Sequence, residues 1–289
     1  MSVVLSGWAP RAPLQPLPLD WAQAAGVELA VLRLDLLDPL ISGNKWFKLS
    51  QHLAAAQACD AAGVISLGGA HSNHLHALAA AGKRFAFNTV GLLRGHPQQT
   101  PTISDLQAFG MQLHWLGYAG YRARHAADFW SPWQAQYPHF YTLPEGGGGL
   151  SGALGCMCLV QQVREQLPAL GWDDYDAWWL AAGTGTTLAG LLLGEAAAHP
   201  VHAALAVPAD HGVEQQVQAI VQAAGRTVGR YHLHEACRGG FARVDDALLA
   251  FMQVCEAASG IALEPLYTAK ALMALRQQVE AGYFARGSR

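Results

Sequence analysis

Charge is what this sequence has least of. Only 13% of its 289 residues are Asp, Glu, Lys or Arg, about half the share usual in globular proteins. A net charge of −3 gives no electrostatic footing for nucleic acid or for an anionic membrane surface. Apolar residues make up 52%, which excludes a disordered chain. Lysine is scarcest: Lys45, Lys48, Lys83 and Lys270 are the only four, against fourteen Arg. Cysteine is sparse too. Five residues, Cys59, Cys156, Cys158, Cys237 and Cys255, imply no disulfide framework and fit a reducing cytoplasm. Cys156 and Cys158 stand two apart with no matching pair, so they read as small core residues, and no metal site is expected.

Long apolar runs are missing as well. Met1 to Gln15 carries prolines and no apolar stretch of a signal peptide. One uncharged segment of 18 residues, Ala177–Gly194, mimics a membrane span but is interrupted by Gly183, Gly185 and the threonines Thr184, Thr186 and Thr187. Strand, loop and helix explain it better than a membrane span. There is no internal repeat and no heptad pattern.

What is present alternates. The length suits two domains or one large one. Strands are expected at Val27–Leu34, Val64–Leu67, Thr89–Leu93, Met111–Leu116, Phe140–Leu143, Ala177–Ala182, Val201–Val207 and Tyr231–His234. Between and after them come helices at Lys45–Ala62, with Asn44 as cap, and at Ser72–Ala81, Thr102–Phe109, Tyr121–Gln136, Ser151–Gln166, Thr187–Ala197, Val213–Ala224, Asp245–Ser259 and Tyr267–Ala281. Such alternation predicts an α/β protein with parallel sheets flanked by helices. Ligands then sit beyond the carboxyl ends of the strands. Four consecutive glycines, Gly146–Gly149, are the sharpest break and mark a functional or hinge loop.

Three motifs carry chemistry. Gly183-Thr184-Gly185-Thr186-Thr187 follows an apolar strand and opens an apolar helix, which makes an anion site from backbone N–H groups, or simply a tight turn. It is neither a Walker loop nor a dinucleotide fingerprint. In Ser42-Gly43-Asn44-Lys45, a lysine in the first turn of a helix opposes the helix dipole. That field favours an uncharged amine, as a Schiff-base lysine requires, although a solvated surface lysine is the simpler reading of position alone. Gly68-Gly69-Ala70-His71-Ser72-Asn73-His74 places Ser and Asn at another helix start, suited to a carboxylate or phenolate oxygen. Its histidines are not spaced as metal ligands.

Together, in this order, the motifs resemble the pyridoxal-phosphate enzymes of the 1-aminocyclopropane-1-carboxylate deaminase / D-cysteine desulfhydrase family, in the tryptophan-synthase-β-like superfamily of fold type II. The resemblance runs from about Pro18 to Arg289, and Glu264-Pro265-Leu266-Tyr267-Thr268-Ala269-Lys270 extends it. It implies pyridoxal 5′-phosphate bound between two domains, a larger one of residues 1–49 and 143–289 and a smaller inserted one of 50–142. Lys45 would carry the cofactor, and Asn73 would meet its 3′-oxygen. Gly183, Thr184, Gly185, Thr186 and Thr187 would cradle its phosphate, and Thr268 would face its pyridine nitrogen. Ser72, Asn73, His74 and Tyr267 would contact the substrate, with Lys45, Ser72 and Tyr267 catalytic. A small amino acid is the implied substrate and a homodimer in the cytoplasm the implied assembly.

Two departures from the deaminase pattern lean toward β-elimination on D-cysteine or a similar amino acid. Thr268 stands where deaminases place Glu, and Phe241 where they carry a second tyrosine. The alternatives are 1-aminocyclopropane-1-carboxylate deamination and a catalytically impaired, ligand-binding relative. The second rests on the end at Gly287-Ser288-Arg289, where relatives are expected to continue into a further strand with a Gly-Gly turn. A Rossmann-type oxidoreductase is disfavoured, because Glu195 follows the glycine loop too closely and Asp210 does not close a strand.

Overall fold

The computed structural model describes Val3, residues 7–240 and residues 242–289. Phe241, one of the two departures, lies outside the described residues. The chain divides into two compact units. One comprises Leu34–Gly155 with the described residues before Ala12, and the other comprises Ala12–Arg33 with Cys156–Arg289. These boundaries lie outside the expected 49/50 and 142/143 breaks. The helix Lys45–Ala58 accounts for part of the difference. A Cβ on Gly155 would fall 1.9 Å from the Phe47 carbonyl oxygen, so that glycine packs its own helix directly on the lysine-bearing one.

The first unit is built on a parallel sheet of strands Gly63–Gly68, Asn88–Leu93, Gln112–Trp115 and Phe140–Thr142. Gly63–Gly68 lies between Asn88–Leu93 and Phe140–Thr142 in register Gly63↔Asn88 and Gly63↔Phe140, and all six of its residues are buried. Burial on both faces explains its unbroken apolar run. Ile65, Leu67, Val90 and Leu92 form a core with Tyr121 and Phe129, against which Trp130 and Trp133 pack. That packing breaks the helix expected over Tyr121–Gln136. The chain instead forms Gly117–Arg122, a 3-10 turn at Ala123–His125 and Ser131–Gln136, whose start is set by Pro132.

The second unit has a parallel sheet ordered Trp178–Ala182, Val201–Leu205, Tyr231–Glu235. A separate antiparallel pair, Leu14–Pro16 with Ala30–Leu32, orders the proline-rich start of the chain. Gln162 and Gln166 hold it by accepting from Ala12 N (3.1 Å) and Leu14 N (2.9 Å). The helix expected at Ser151–Gln166 is two helices, Gly149–Cys156 and Cys158–Arg164.

Two buried polar clusters in this unit are structural. The Glu195 carboxylate is fully enclosed and accepts from the Tyr175 hydroxyl, Trp178 Nε1 (2.6 Å), Arg164 Nη2 (2.8 Å) and His199 Nδ1 (2.9 Å). A buried carboxylate with four donors needs no ligand to explain it. On the sheet, Trp179, His202 and His232 stand in register on adjacent strands and stack with interplanar angles of 16° and 15°. His202 Nδ1 also meets His234 Nε2 at 3.0 Å. Burial, then the neighbouring His232 and His234, push the His202 pKa down to about 4.

A folded-state pKa below the unfolded value means that the unfolded chain binds more protons in the window between them. Stability is therefore full above the unfolded value near 6.5 and falls as pH drops toward about 4. Each pH unit within that window costs about 1.4 kcal/mol from this residue. Urea unfolding at pH 7.5, 6 and 5 should show the decline. His202→Phe, which keeps the stacked ring but cannot be protonated, should make it shallower, leaving the part due to the other buried histidines, His74 and His52.

Candidate active site

In the first unit the site grows from the carboxyl end of the central strand. After Gly68 the chain turns through Gly69 and Ala70 into the helix Asn73–Phe85. A Cβ on Gly68 would lie 2.5 Å from Ser72 Oγ and 3.1 Å from Leu75 Cδ1, so only glycine lets the helix start approach this strand. Ser72 is the N-cap: its Oγ accepts from Leu75 N at 3.2 Å. Accepting that bond leaves the hydroxyl hydrogen to donate elsewhere. Thr100 Oγ1 donates to the Ala70 carbonyl (2.7 Å) and fixes the turn. Asn73, in the first turn, is exposed.

His74 behaves differently. Its side chain is 3% exposed and faces the core. Ser66 Oγ donates its single hydrogen to the Leu143 carbonyl at 3.0 Å, so it accepts from His74 Nε2 at 2.8 Å. This assigns the proton to Nε2 and leaves Nδ1 as a buried acceptor without a hydrogen-bond partner. Burial pushes the His74 pKa well below the ordinary histidine value, and the charges of Lys45 and Lys48 add to the effect. The imidazole is neutral, and it is a core group rather than an open contact at the helix start.

Lys45 is the first residue of the helix Lys45–Ala58 and is half-buried. Gly43 turns the chain into it with φ 70°, donating its N–H to Leu34 O at 2.9 Å. Asn44 does not cap the helix with its side chain. It already has helical backbone angles, φ −72° and ψ −1°, which take the side chain away from the next N–H groups. Its Oδ1 accepts instead from Lys45 Nζ at 2.7 Å. Lys48, one turn on, is buried.

The glycine run closes over these groups. Gly146, Gly147 and Gly149 all have φ between 66° and 79°, which explains why no side chain is carried there. A Cβ on Gly147 would lie 3.2 Å from Lys48 Cβ and 3.6 Å from His74 Nδ1. The run is pinned at both ends. His52, on the lysine-bearing helix, meets Gly148 O through Nε2 (3.1 Å) and the Tyr141 hydroxyl through Nδ1 (3.1 Å). Glu145 accepts from the Tyr121 hydroxyl and from Arg124 Nε at 2.7 Å.

In the second unit the strand Trp178–Ala182 passes through Gly183–Gly185 into the helix Thr186–Glu195. Gly185 is left-handed, φ 77°, and packs on Val217 and Val213, where a Cβ would lie 2.8 Å from Val217 Cγ2. No side chain caps this helix start. Thr184 is exposed, while Thr186 and Thr187 are buried, and the Thr184 and Thr186 hydroxyls meet at 3.1 Å. Tyr267 lies on the loop: a Cβ on Gly183 would be 3.0 Å from Tyr267 Cε1 and 3.3 Å from its Oη. The Glu264 carboxylate accepts from Leu266 N and Tyr267 N, both at 2.8 Å. Thr268 Oγ1 accepts from Glu264 N (2.8 Å) and donates to Glu264 O (3.1 Å), so this hydroxyl is engaged locally.

The first unit thus gathers Lys45, Ser72, Asn73 and His74, and the second gathers Gly183–Thr187, Tyr267 and Thr268. Sequence reasoning passed over Ser66, His52 and Lys270 as working residues. Two carried a signal: Ser66 is a lone hydroxyl inside an apolar buried strand, and Lys270 sits on the apolar side of its helix.

Comparison with known proteins gives the class. The sequence pattern of the pyridoxal-phosphate dependent enzymes matches residues 7–289. The chain belongs to that family and is a pyridoxal-phosphate dependent enzyme. Among curated relatives, a Pyrococcus furiosus protein provisionally named as a 1-aminocyclopropane-1-carboxylate deaminase is 25% identical over 94% of this chain and 85% of its own length. The mitochondrial bifunctional D-cysteine desulfhydrase/1-aminocyclopropane-1-carboxylate deaminase of Arabidopsis thaliana is 26% identical over 88% of this chain and 68% of its own. A crystal structure described as an ACC deaminase homologue superposes with a TM-score of 0.82 at 24% identity, covering 99% of this chain and 89% of that one. The fold is the type II fold of pyridoxal-phosphate enzymes.

The residues present fit that cofactor. The Gly183–Thr187 loop combines an uncapped helix start, an exposed threonine and a glycine whose missing Cβ admits a tyrosine ring. Such a cradle suits a phosphate. Gly183→Ala tests it, because Gly183 has no positive φ and alanine would strain the contact with Tyr267 more than the backbone. Stability should fall by no more than about 1–3 kcal/mol. Spectrophotometric titration of the apoprotein should show pyridoxal phosphate binding weakened by about tenfold, equivalent to ~1.4 kcal/mol.

Proposed function

We propose that the enzyme eliminates a β-substituent from a small amino acid, D-cysteine or a close analogue, and that water hydrolyses the product, giving keto acid, ammonia and, from D-cysteine, hydrogen sulfide. The cofactor, when bound, supplies an electron sink for the electron pair left at the α-carbon. Lys45 is the residue that would carry it. Gly183, Thr184, Gly185, Thr186 and Thr187 would hold its phosphate, Asn73 its 3′-oxygen, and Thr268 would stand at its pyridine nitrogen.

The protein's own groups do the rest. Ser72, whose hydroxyl hydrogen is not used in capping, donates to the substrate carboxylate alongside the N–H groups of the helix start. Lys45 Nζ would take the α-proton as general base. Tyr267 Oη, held at the phosphate loop, gives or orients a proton near the departing group. His74 serves from within the core, where its neutral ring links the helix start to Ser66 and the Leu143 carbonyl. The enzyme is read as a homodimer in the cytoplasm. Its five free cysteines support a reducing compartment, and no helix among the described residues is long and apolar enough to cross a membrane.

One observation carries elimination over ring opening. Thr268 is uncharged, and its hydroxyl already donates to Glu264 O. Opening a cyclopropane ring begins without an α-proton and asks for a strongly electron-withdrawing pyridinium, which an uncharged partner does not hold. A missing charge or hydroxyl in acid–base work costs roughly 10²–10⁴-fold. Keto acid and ammonia release should be assayed with D-cysteine, L-cysteine and 1-aminocyclopropane-1-carboxylate. We expect kcat/KM for D-cysteine to exceed that for the cyclopropane substrate by about 10²-fold or more. Comparable values overturn the assignment, and so does a Phe241→Tyr, Thr268→Glu double variant that gains no ring opening.

A further inference from the structure

Lys270 stands apart from the site residues. It is 1% exposed, in the first turn of the helix Thr268–Glu280. Burying an ammonium is costly unless it is well partnered. A cation in the first turn of a helix also opposes the dipole. For stability alone an apolar side chain of similar length would serve better, since replacing buried charges by packed apolar groups is often neutral or favourable.

Its bonds explain its presence. Nζ donates to Cys237 O and to Gly240 O, both at 3.0 Å. Cys237 O also accepts from Gly240 N at 3.2 Å, which closes a turn. That turn follows the strand Tyr231–Glu235 at its carboxyl end, the edge where parallel sheets place ligands. It contains Arg238 and Gly239 at φ 52° and 78°, and the first is a conformation that a non-glycine residue rarely takes. Asp245 restrains it from the other side, accepting from Arg238 Nε (2.9 Å) and Nη2 (2.6 Å). Lys270 therefore ties a restrained turn to the start of the helix that Tyr267 precedes. Tyr267 in turn is fixed through its N–H to Glu264 and through its carbonyl, which accepts from Ala271 N at 2.9 Å.

We infer that Lys270 is a positioning residue: by latching the Cys237–Gly240 turn to the first turn of Thr268–Glu280, it holds Tyr267 against Gly183 in the geometry the reaction needs. The inference rests on the proposed proton-handling role of Tyr267. Lys270 touches neither substrate nor cofactor in this account.

A double-mutant cycle on the holoenzyme tests it. Lys270→Met should lower kcat for keto acid release by about tenfold, with KM within about threefold. In a Tyr267→Phe background the same substitution should cost less than about twofold, because the group it positions is already gone. Amide hydrogen exchange at Gly240 should quicken in Lys270→Met. Lys270→Gln, which keeps a donor for one of the two carbonyls, should recover part of the rate and gives the same readouts if the methionine variant does not fold. Folded Lys270 variants with wild-type kcat overturn the inference, as do equal losses in both backgrounds. A wild-type protein that shows no cofactor absorbance band overturns the functional reading, and this inference falls with it. A band in the wild type with equal losses in both backgrounds removes Lys270 alone.

Discussion

A strand in a parallel sheet delivers its chain to one edge, and the chain must turn at once to lay a helix back over the sheet. Wherever the turn is glycine-tight, the helix begins at that edge with its N–H groups pointing outward. This constraint recurs in both units. Gly68 admits Ser72 and Leu75 against its own backbone, and Gly185 packs on Val217 while Gly183 admits Tyr267. Each turn leaves a helix start open to an anion: Asn73–Phe85 in one unit and Thr186–Glu195 in the other. We propose the second for the cofactor's phosphate and the first for the substrate's carboxylate.

Buried polar groups hold these starts rigid. His52 and His74 are both neutral through burial and both lie beneath the glycine run, one bonded to Gly148 O and the other to Ser66. Neutral imidazoles near Lys45 and Lys48 satisfy backbone and hydroxyl partners without adding positive charge beside those lysines. Lys270 applies the same logic in the second unit with a charge instead of a ring. It binds two carbonyls of one turn and so ties that turn to the helix start.

Much of this was legible in the residues, for physical reasons that differ by element. The alternation of apolar strands with helices follows from burial on both faces, so parallel sheets and the Gly183–Thr187 turn could be read directly. Ser72 at a helix start was legible because serine suits that position. Asn44 misled, because the residue type suits a cap while its backbone had already entered the helix. The single helices expected over Tyr121–Gln136 and Ser151–Gln166 failed where aromatic packing and close glycine contacts outweigh local preference. His74 read as a contact from its place beside Ser72 and Asn73. Which side of a helix start faces the core depends on Ser66, a partner eight residues back across the turn.

We propose that Lys45, and no other lysine, carries the cofactor. Borohydride reduction of the purified holoenzyme, followed by peptide mapping, tests it most directly. A pyridoxyl label is expected on Lys45 in the peptide that contains Gly43 and Asn44. A label on Lys48, Lys83 or Lys270 would contradict it.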